Sequence, residues 1–284
     1  MLKIRPYENN PLKEGDFPVR CNFRCIVLYE RMYHIFEEDH VHGHWRIFKR
    51  ISPDGISMGH ISNPLFELGG EYHFDEFGQA DPTVIYDGKW KMWFDAMNRG
   101  LFWDKLGYAE SDDGDNWINL GPVFSRGEKG TWDDHSVHHP VVLKHDKYYM
   151  YYSGCQKIEG NPLNFNVKNI GLATSDDGLK WERQGIVIPC GNRNEWDRTY
   201  VRPSIPVRIG DKWVMFYWGF NGIHSMGYAI SDDLIHWEKQ GKLISGTNEH
   251  DGVTGSHAIS DGHTARVWYV TFDNCRLHII DVYE

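Results

Sequence analysis

One short motif recurs along the chain and limits what the chain can fold into. It reads GYAESDDGDNW (107–117), GLATSDDGLKW (171–181) and GYAISDDLIHW (227–237), and a degraded copy, RISPDGISM, occupies 50–58. The serines of the four copies, at positions 52, 111, 175 and 231, are 59, 64 and 56 residues apart. A repeat of this length, with about four strands in each period, is typical of a β-propeller, in which each blade packs against its neighbours.

The segments between the copies have the character of paired strands. They read ADPTVIYDGKWKMWFD (80–95), HHPVVLKHDKYYMYYSG (138–154) and VRPSIPVRIGDKWVMFYWG (201–219), rich in β-branched and aromatic residues and broken by turn-like polar residues. The sequence therefore predicts an all-β chain, a single five-bladed β-propeller domain over residues 1–284 with four-stranded antiparallel blades. The blades are expected near 18–66, 72–124, 132–188, 196–244 and 251–284, and residues 1–8 are a candidate outer strand of the last blade. In the first blade, 21–38 should form two strands and 44–58 an outer hairpin.

Residues that recur in every blade are expected to serve the scaffold. The Ser-Asp-Asp-Gly run predicts a tight turn, and the tryptophan that follows predicts a packing contact between blades. An aspartate also recurs before each pair of strands, as Asp75, Asp133, Asp197 and Asp251. Reacting groups should therefore lie where the blades differ.

Composition narrows the classes of partner. The chain has 284 residues, of which 40% are apolar, so it can bury a large core. Its net charge of −10 and the lack of a basic cluster argue against nucleic acid and anionic membranes and favour a neutral or cationic small ligand. With no apolar run of signal-peptide or membrane-span length, the sequence predicts a cytoplasmic protein. Five cysteines without metal-ligand spacing suit a reducing compartment.

The residue before the recurring proline differs from blade to blade. It is Asp81, His139 and Arg202 in three blades, and its nearest counterpart in the last blade is His257. Because the innermost strands of a propeller line one central channel, these side chains are expected to converge there. Arg202 would suit a substrate carboxylate or a pair of hydroxyls, which suggests an acidic sugar. The structural alternatives are a strand cap for Asp81, packing roles for the histidines, and an ion pair with Asp133 or Asp197 for Arg202.

The strand pairs over 80–95 and 138–154, together with the repeated SDDGxxW hairpin, resemble the five-bladed propeller glycosidases of glycoside hydrolase families 32, 43, 62, 68 and 117. The resemblance implies that the chain hydrolyses a small oligosaccharide or glycoside and that Asp81, in its Asp-Pro motif, is the base or nucleophile. The glutamate acid of those families has no clear counterpart, since Arg202-Pro203 stands in its place. Family 117 resembles this fold and has a proposed histidine acid, so His139 or His257 is a candidate, with Glu195 the nearby glutamate. A propeller that binds or modifies carbohydrate without hydrolysis is the alternative.

Further residues are candidates for substrate contact. Asp134 and His135 precede an innermost strand, while Phe102, Trp103 and Phe220 lie in insertions where an aromatic ring could stack on a sugar.

Trp132 and Trp196 occupy matching positions and are equally suited to packing or to ligand contact. No metal or cofactor is required, although a divalent cation on Asp81 and the histidines of 135–139 is an alternative. The three histidines of DHVHGH (39–44) are expected in a solvated loop or at the rim of a ligand site, with metal binding as the alternative.

Overall fold

The computed structural model describes residues 2–12, 24–71, 73–99, 103–156, 168–247, 252–272 and 276–284. These residues form twenty β-strands and no helix, which confirms the all-β prediction for the part of the chain described. Accordingly, no helix within those ranges is long and apolar enough to cross a membrane. The chain divides into two compact units: residues 23–166 with 171–185, and residues 1–22, 167–170 and 186–284.

The largest sheet has seven strands. They are β2 (Arg24–Tyr29), β3 (Met32–Val41), β4 (His44–Ser52), β5 (Gly78–Tyr86), β6 (Trp90–Met97), β7 (Lys105–Ser111) and β8 (Trp117–Ser125). Strands β2–β4 and β5–β8 are two antiparallel meanders, which a single parallel pair, Trp45 with Gly78, joins into one sheet.

Two predictions for the first meander are wrong. The expected outer hairpin over 44–58 has only its first strand, β4. Residues 59–65 follow β4 irregularly, as the N–H groups of Gly59 and Ser62 donate to carbonyls of β4. The expected loop over 39–44 is instead a continuation of β3 and β4 through a two-residue turn. His42 and Gly43 form that turn with φ of 51° and 87°, the left-handed pair that closes tight hairpins.

A four-stranded sheet follows in the order β12-β11-β10-β9. Its strands are β9 (Ser136–Lys144), β10 (Tyr148–Cys155), β11 (Asn169–Ser175) and β12 (Glu182–Ile188). Buried Trp93 and Tyr108 pack against Val142 and Met150 of this sheet. The repeated tryptophan lies at this contact, since the ring of Trp181 meets that of Trp93 edge-on at 6.1 Å, which confirms its predicted packing role.

The remaining strands form two further sheets. They are β13 (Tyr200–Arg202), β14 (Val207–Ile209), β15 (Lys212–Phe220), β16 (His224–Ser231) and β17 (Glu238–Ser245) in one, and β18 (Val253–Ser260), β19 (Thr264–Thr271), β20 (Arg276–Tyr283) and β1 (Lys3–Pro6) in the other. Their shared core includes buried Phe216, Val267 and Ile280. Strand β1 pairs antiparallel with β20, so the N-terminal segment is an outer strand of the last sheet, as the sequence predicts. The count of five blades and the single domain stay predictions.

The four Ser-Asp turns share one hydrogen-bond pattern. At the third turn, the Gly178 N–H donates to Ser175 Oγ at 2.8 Å, and Ser175 Oγ donates to Asp177 Oδ1 at 3.0 Å. The N–H groups of Lys180 and Leu179 donate to Asp177 Oδ1 and lower the pKa of that carboxyl group. The turns that begin at serines 52, 111 and 231 repeat this arrangement. The motif therefore has the structural role that the sequence predicts.

Removal of one such serine should weaken the fold measurably. We expect Ser175→Ala to lower the free energy of unfolding by about 1–2 kcal/mol, because it deletes three hydrogen bonds of a buried hydroxyl. Urea denaturation measures the change. The matched control is Asp176→Ala in the same turn, an exposed position where a change below about 0.5 kcal/mol is expected. Equal effects at both positions would contradict the assigned role of the hydroxyl.

Trp132 and Trp196 are packing residues in their own units. The ring of Trp132 stacks on Tyr152 at 5.5 Å, and that of Trp196 stacks on Tyr217 at 5.4 Å. Each indole lies over a glycine of the repeat: an added Cβ at Gly171 would lie 2.4 Å from Trp132. The recurring aspartates support the same regions. Asp133 binds Arg183 and Asp197 binds Lys239, whereas Asp251 lies outside the described residues.

Candidate functional site

The first strand of several meanders is irregular at the recurring proline. Pairing of β5 with β6 shifts between Ala80 and Thr83, around Asp81-Pro82, and pairing of β9 with β10 shifts around His139-Pro140. Proline lacks the N–H that a ladder position needs, so a bulge forms there and redirects the neighbouring side chain. The sequence difference between blades thus falls where the backbone leaves the regular strand.

Asp81 and His139 have left-handed backbones, with φ of 47° and 52°. For a residue that is not glycine this conformation costs about 1–3 kcal/mol, and a following proline itself favours extended backbone. Strained residues of this kind concentrate at functional sites, where the surrounding structure holds them. Two of them at matching positions of neighbouring meanders make this the strongest candidate site in the unit that contains residues 23–166.

A hydrogen bond from the backbone N–H to a buried carboxylate holds each of the two strained residues. The N–H of Asp81 donates to the carboxylate of Glu38 on β3, and the N–H of His139 donates to Asp95 Oδ1 on β6 at 2.8 Å. Glu38 and Asp95 are both buried. In each case a carboxylate from the preceding meander accepts the N–H that the interrupted ladder no longer pairs. Such charge-assisted hydrogen bonds are about twice as strong as neutral ones and help to offset the strain.

The two side chains point at each other. His139 Nε2 lies 3.6 Å from Asp81 Oδ2, and the exposed fractions of the two side chains are 18% and 7%. The opposite nitrogen, His139 Nδ1, lies 3.2 Å from Ser153 Oγ, which orients the ring. The arrangement is a nearly buried carboxylate–imidazole dyad with one accessible edge, suited to proton transfer to a bound molecule.

A partly exposed indole lies beside this dyad. Trp103 also has a left-handed backbone, with φ of 65°, and its carbonyl accepts the Val137 N–H. Its ring is 5.5 Å from that of His138, which in turn stacks on His139 at 5.3 Å. The structure thus places Trp103 against His138, one ring away from the dyad, where an aromatic ring could face a sugar. Phe102, predicted for the same purpose, lies outside the described residues.

The separation within the dyad restricts its chemistry. Groups that act on opposite faces of a sugar stand about 5–9.5 Å apart, so Asp81 and His139 at 3.6 Å act on one face as a unit. The buried carboxyl group of Glu38 is a nearby second acid: its bond to the Asp81 N–H puts the two carboxyl groups within about 8 Å by covalent geometry.

Asp134 and His135 belong to the same unit and have local partners. Asp134 Oδ2 accepts the Gly130 N–H at 2.7 Å, and the His135 N–H donates to the Cys155 carbonyl at 3.0 Å. Both residues are partly exposed. These bonds order the loop that leads into β9.

The other predicted site residues belong to the second unit. The Arg202 guanidinium lies over the ring of Trp218 at 5.4 Å, and Phe220 stacks on Tyr200 at 5.2 Å. His257 is buried on β18, opposite Trp268 of β19.

Glu195 is exposed, and its carboxylate accepts the Asn192 N–H of its own turn. The glutamate therefore has a local structural use. The convergence of these residues with Asp81 stays a prediction.

Sequence reasoning missed Glu38 and Asp95, whereas His138 was among the histidines of 135–139 that the sequence offered for a metal. A carboxylate within a strand of aromatic and aliphatic residues was the available signal, as in the runs YHIFEE and KMWFD, because a buried charge needs a partner. The sequence could not show which backbone N–H group each carboxylate binds, since the partners lie 43 and 44 residues away.

Part of the chain is similar in sequence to phosphorylases of mannose-containing oligosaccharides. No family model matches the chain. A 1,2-beta-oligomannan phosphorylase of Thermoanaerobacter sp. (strain X514) is 32% identical over 192 residues, which cover 64% of this chain and 59% of that protein. The chain spans between 53% and 59% of the length of the curated relatives that it matches.

Solved structures match over nearly the whole chain. A β-1,2-mannobiose phosphorylase from Listeria innocua, in complex with β-1,2-mannobiose, has a TM-score of 0.70 at 15% identity and covers 98% of this chain and 96% of its own. An α-L-arabinofuranosidase from Lactobacillus brevis has a TM-score of 0.70 at 14% identity, covering 92% and 90%. The chain therefore has the β-propeller fold of glycoside hydrolase-like enzymes, which confirms the resemblance seen in the sequence.

Proposed function

We propose that this protein is an enzyme that cleaves the glycosidic bond of a small oligosaccharide. The observation that carries the proposal is the dyad of Asp81 and His139, 3.6 Å apart on two strained left-handed residues. A nearly buried carboxylate beside an imidazole can give a proton to a leaving oxygen or take one from an attacking group. Trp103 would supply the ring against which the sugar stacks.

In the proposed reaction the bond between the anomeric carbon and the glycosidic oxygen breaks. The leaving oxygen takes a proton from the dyad, and an acceptor oxygen forms the new bond to the anomeric carbon from the opposite face. If phosphate is the acceptor, no base is needed on that face, because phosphate already carries negative charge. A dyad on one face then suffices, and this favours phosphorolysis.

The activities of two similar proteins also favour phosphate as the acceptor. The curated relative at 32% identity and the Listeria innocua structure are both phosphorylases of β-1,2-linked mannosides. We therefore propose a β-1,2-linked manno-oligosaccharide as the first substrate to test and inorganic phosphate as the acceptor.

Hydrolysis is the second candidate, and the fold shared with glycoside hydrolases favours it. In that case Asp81 is the base or nucleophile and water the acceptor. The acid is then Glu38, because His139 acts on the same face as Asp81. Neither version uses a cofactor.

One assay distinguishes the two acceptors. We expect purified protein to convert β-1,2-mannobiose to mannose and mannose 1-phosphate, at a rate that rises with the phosphate concentration. Release of mannose alone, at a rate independent of phosphate, would identify hydrolysis instead. Binding of the disaccharide, detected as a thermal shift, without any turnover would contradict both reactions and support the carbohydrate-binding alternative.

A further inference from the structure

Three metal-ligand side chains, one of them from the dyad, lie close together. Asp95, His138 and His139 each offer one oxygen or nitrogen atom, and these atoms all lie within 4.8 Å of one another. Asp95 and His138 are buried, while an edge of His139 is exposed. A buried carboxylate with two imidazoles is costly unless its members pair with one another or bind a cation.

One ring nitrogen of each imidazole has a serine hydroxyl as its partner, so the opposite nitrogen is the one that would bind an ion. His138 Nε2 lies 2.8 Å from Ser136 Oγ, and His139 Nδ1 lies 3.2 Å from Ser153 Oγ. Ser136 is itself held, since its Oγ lies 2.9 Å from the Sγ of buried Cys155. In metal sites the second ring nitrogen is fixed in this way, which sets the orientation of the nitrogen that binds the ion.

We propose that Asp95, His138 and His139 bind a divalent transition-metal ion such as Zn²⁺. Two imidazoles and one carboxylate suit Zn²⁺, whereas Ca²⁺ and Mg²⁺ prefer oxygen ligands only. Asp81 Oδ2, at 3.6 Å from His139 Nε2, is placed to become a fourth ligand. Ligand atoms around tetrahedral zinc are about 3.3 Å apart for bonds of about 2.0 Å, so side-chain shifts of about 1 Å close the site.

Zinc would compete with the dyad for one nitrogen. An ion on His139 Nε2 takes that atom away from Asp81, so the loaded enzyme should lose activity. This consequence rests on the proposed function, but binding of the ion does not. Metal binding is therefore measured on the protein alone, and a failure of the glycosidase proposal leaves that measurement unaffected.

The test is calorimetric titration of the chelator-treated 284-residue chain with zinc chloride, with thermal melting and the visible spectrum of bound Co²⁺ as further readouts. We expect one ion per chain. His138→Gln and Asp95→Asn should each weaken binding at least tenfold. In Asp95→Asn the amide oxygen can still accept the His139 N–H, so the backbone conformation is preserved.

The matched control is His42→Gln, on the exposed hairpin turn of the three-histidine segment that the sequence also offered as a metal site. This variant should bind zinc as the wild type does. Wild type that binds no stoichiometric zinc, or binding that is lost in His42→Gln and kept in His138→Gln, would overturn the proposal. If His138→Gln does not fold, as judged by its melting curve without metal, Asp95→Asn carries the test.

Discussion

Asp81→Asn is expected to lower kcat/KM for the oligosaccharide substrate by about 10²–10⁴-fold, the range that a positioned acid or base contributes. The amide has the shape of the carboxyl group but cannot exchange the proton that the dyad transfers. Asparagine tolerates the left-handed backbone, and the Asp81 N–H bond to Glu38 does not involve the side chain that changes. The fold should therefore survive, and steady-state kinetics with β-1,2-mannobiose and phosphate measure the loss.

The control for this substitution is Asp112→Asn, an exposed aspartate of a Ser-Asp turn in the same unit. It makes the same chemical change away from the dyad and should leave kcat/KM within about twofold of the wild type, since exposed positions rarely matter. If Asp81→Asn kept activity within tenfold of the wild type and melted at the same temperature, the dyad would not be the reacting group.

Arg50→Met should destabilise the fold by about 3–5 kcal/mol, because it leaves a buried carboxylate without its cation. Arg50 Nε donates to Glu37 Oε1 at 2.6 Å, and the two side chains are only 1% and 4% exposed. The pair lies between β3 and β4, in the meander that also carries Glu38. Chemical denaturation of the variant gives the change in the free energy of unfolding.

The double variant Glu37→Leu/Arg50→Met removes both charges but keeps side chains that fill the same space, so it separates the effect of charge from that of packing. Because a buried ion pair contributes little beyond a well-packed apolar pair, the double variant should recover most of the lost stability. A surface pair serves as the control: Lys212 and Asp232 are 2.7 Å apart but 44% and 76% exposed. There Lys212→Met should cost no more than about 1 kcal/mol. Equal losses at both pairs would contradict the assigned effect of burial.

The sequence predicted the parts of the molecule that depend on local chemistry. Turn residues and strand-forming runs act over a few neighbours, so the all-β class, the Ser-Asp turns and the pairing of the first strand with the last were accessible. Local rules failed where the chain departed from the repeat. Residues 53–65 form no strand, and His42 and Gly43 form a two-residue turn where a longer loop was expected.

The sequence predicted which residues form the candidate site but not which residues hold them in place. Asp81 and His139 were found because they differ between otherwise similar strands. The left-handed backbone of each residue, and the carboxylates of Glu38 and Asp95 that hold it, could not be found in this way. Those carboxylates come from other meanders, and nothing in the local sequence specifies which backbone N–H group a buried acid will reach.

The amino-acid sequence by itself therefore determined the repeat, the strands and the identity of the unlike residues before each proline, because these follow from spacing and residue type. Only the tertiary structure decided that Asp81 and His139 lie 3.6 Å apart and so act on one face of a sugar. The physical reason is that distances between side chains on different sheets depend on how the sheets pack and on where the bulges fall. Both are set by contacts between residues that are distant in the chain.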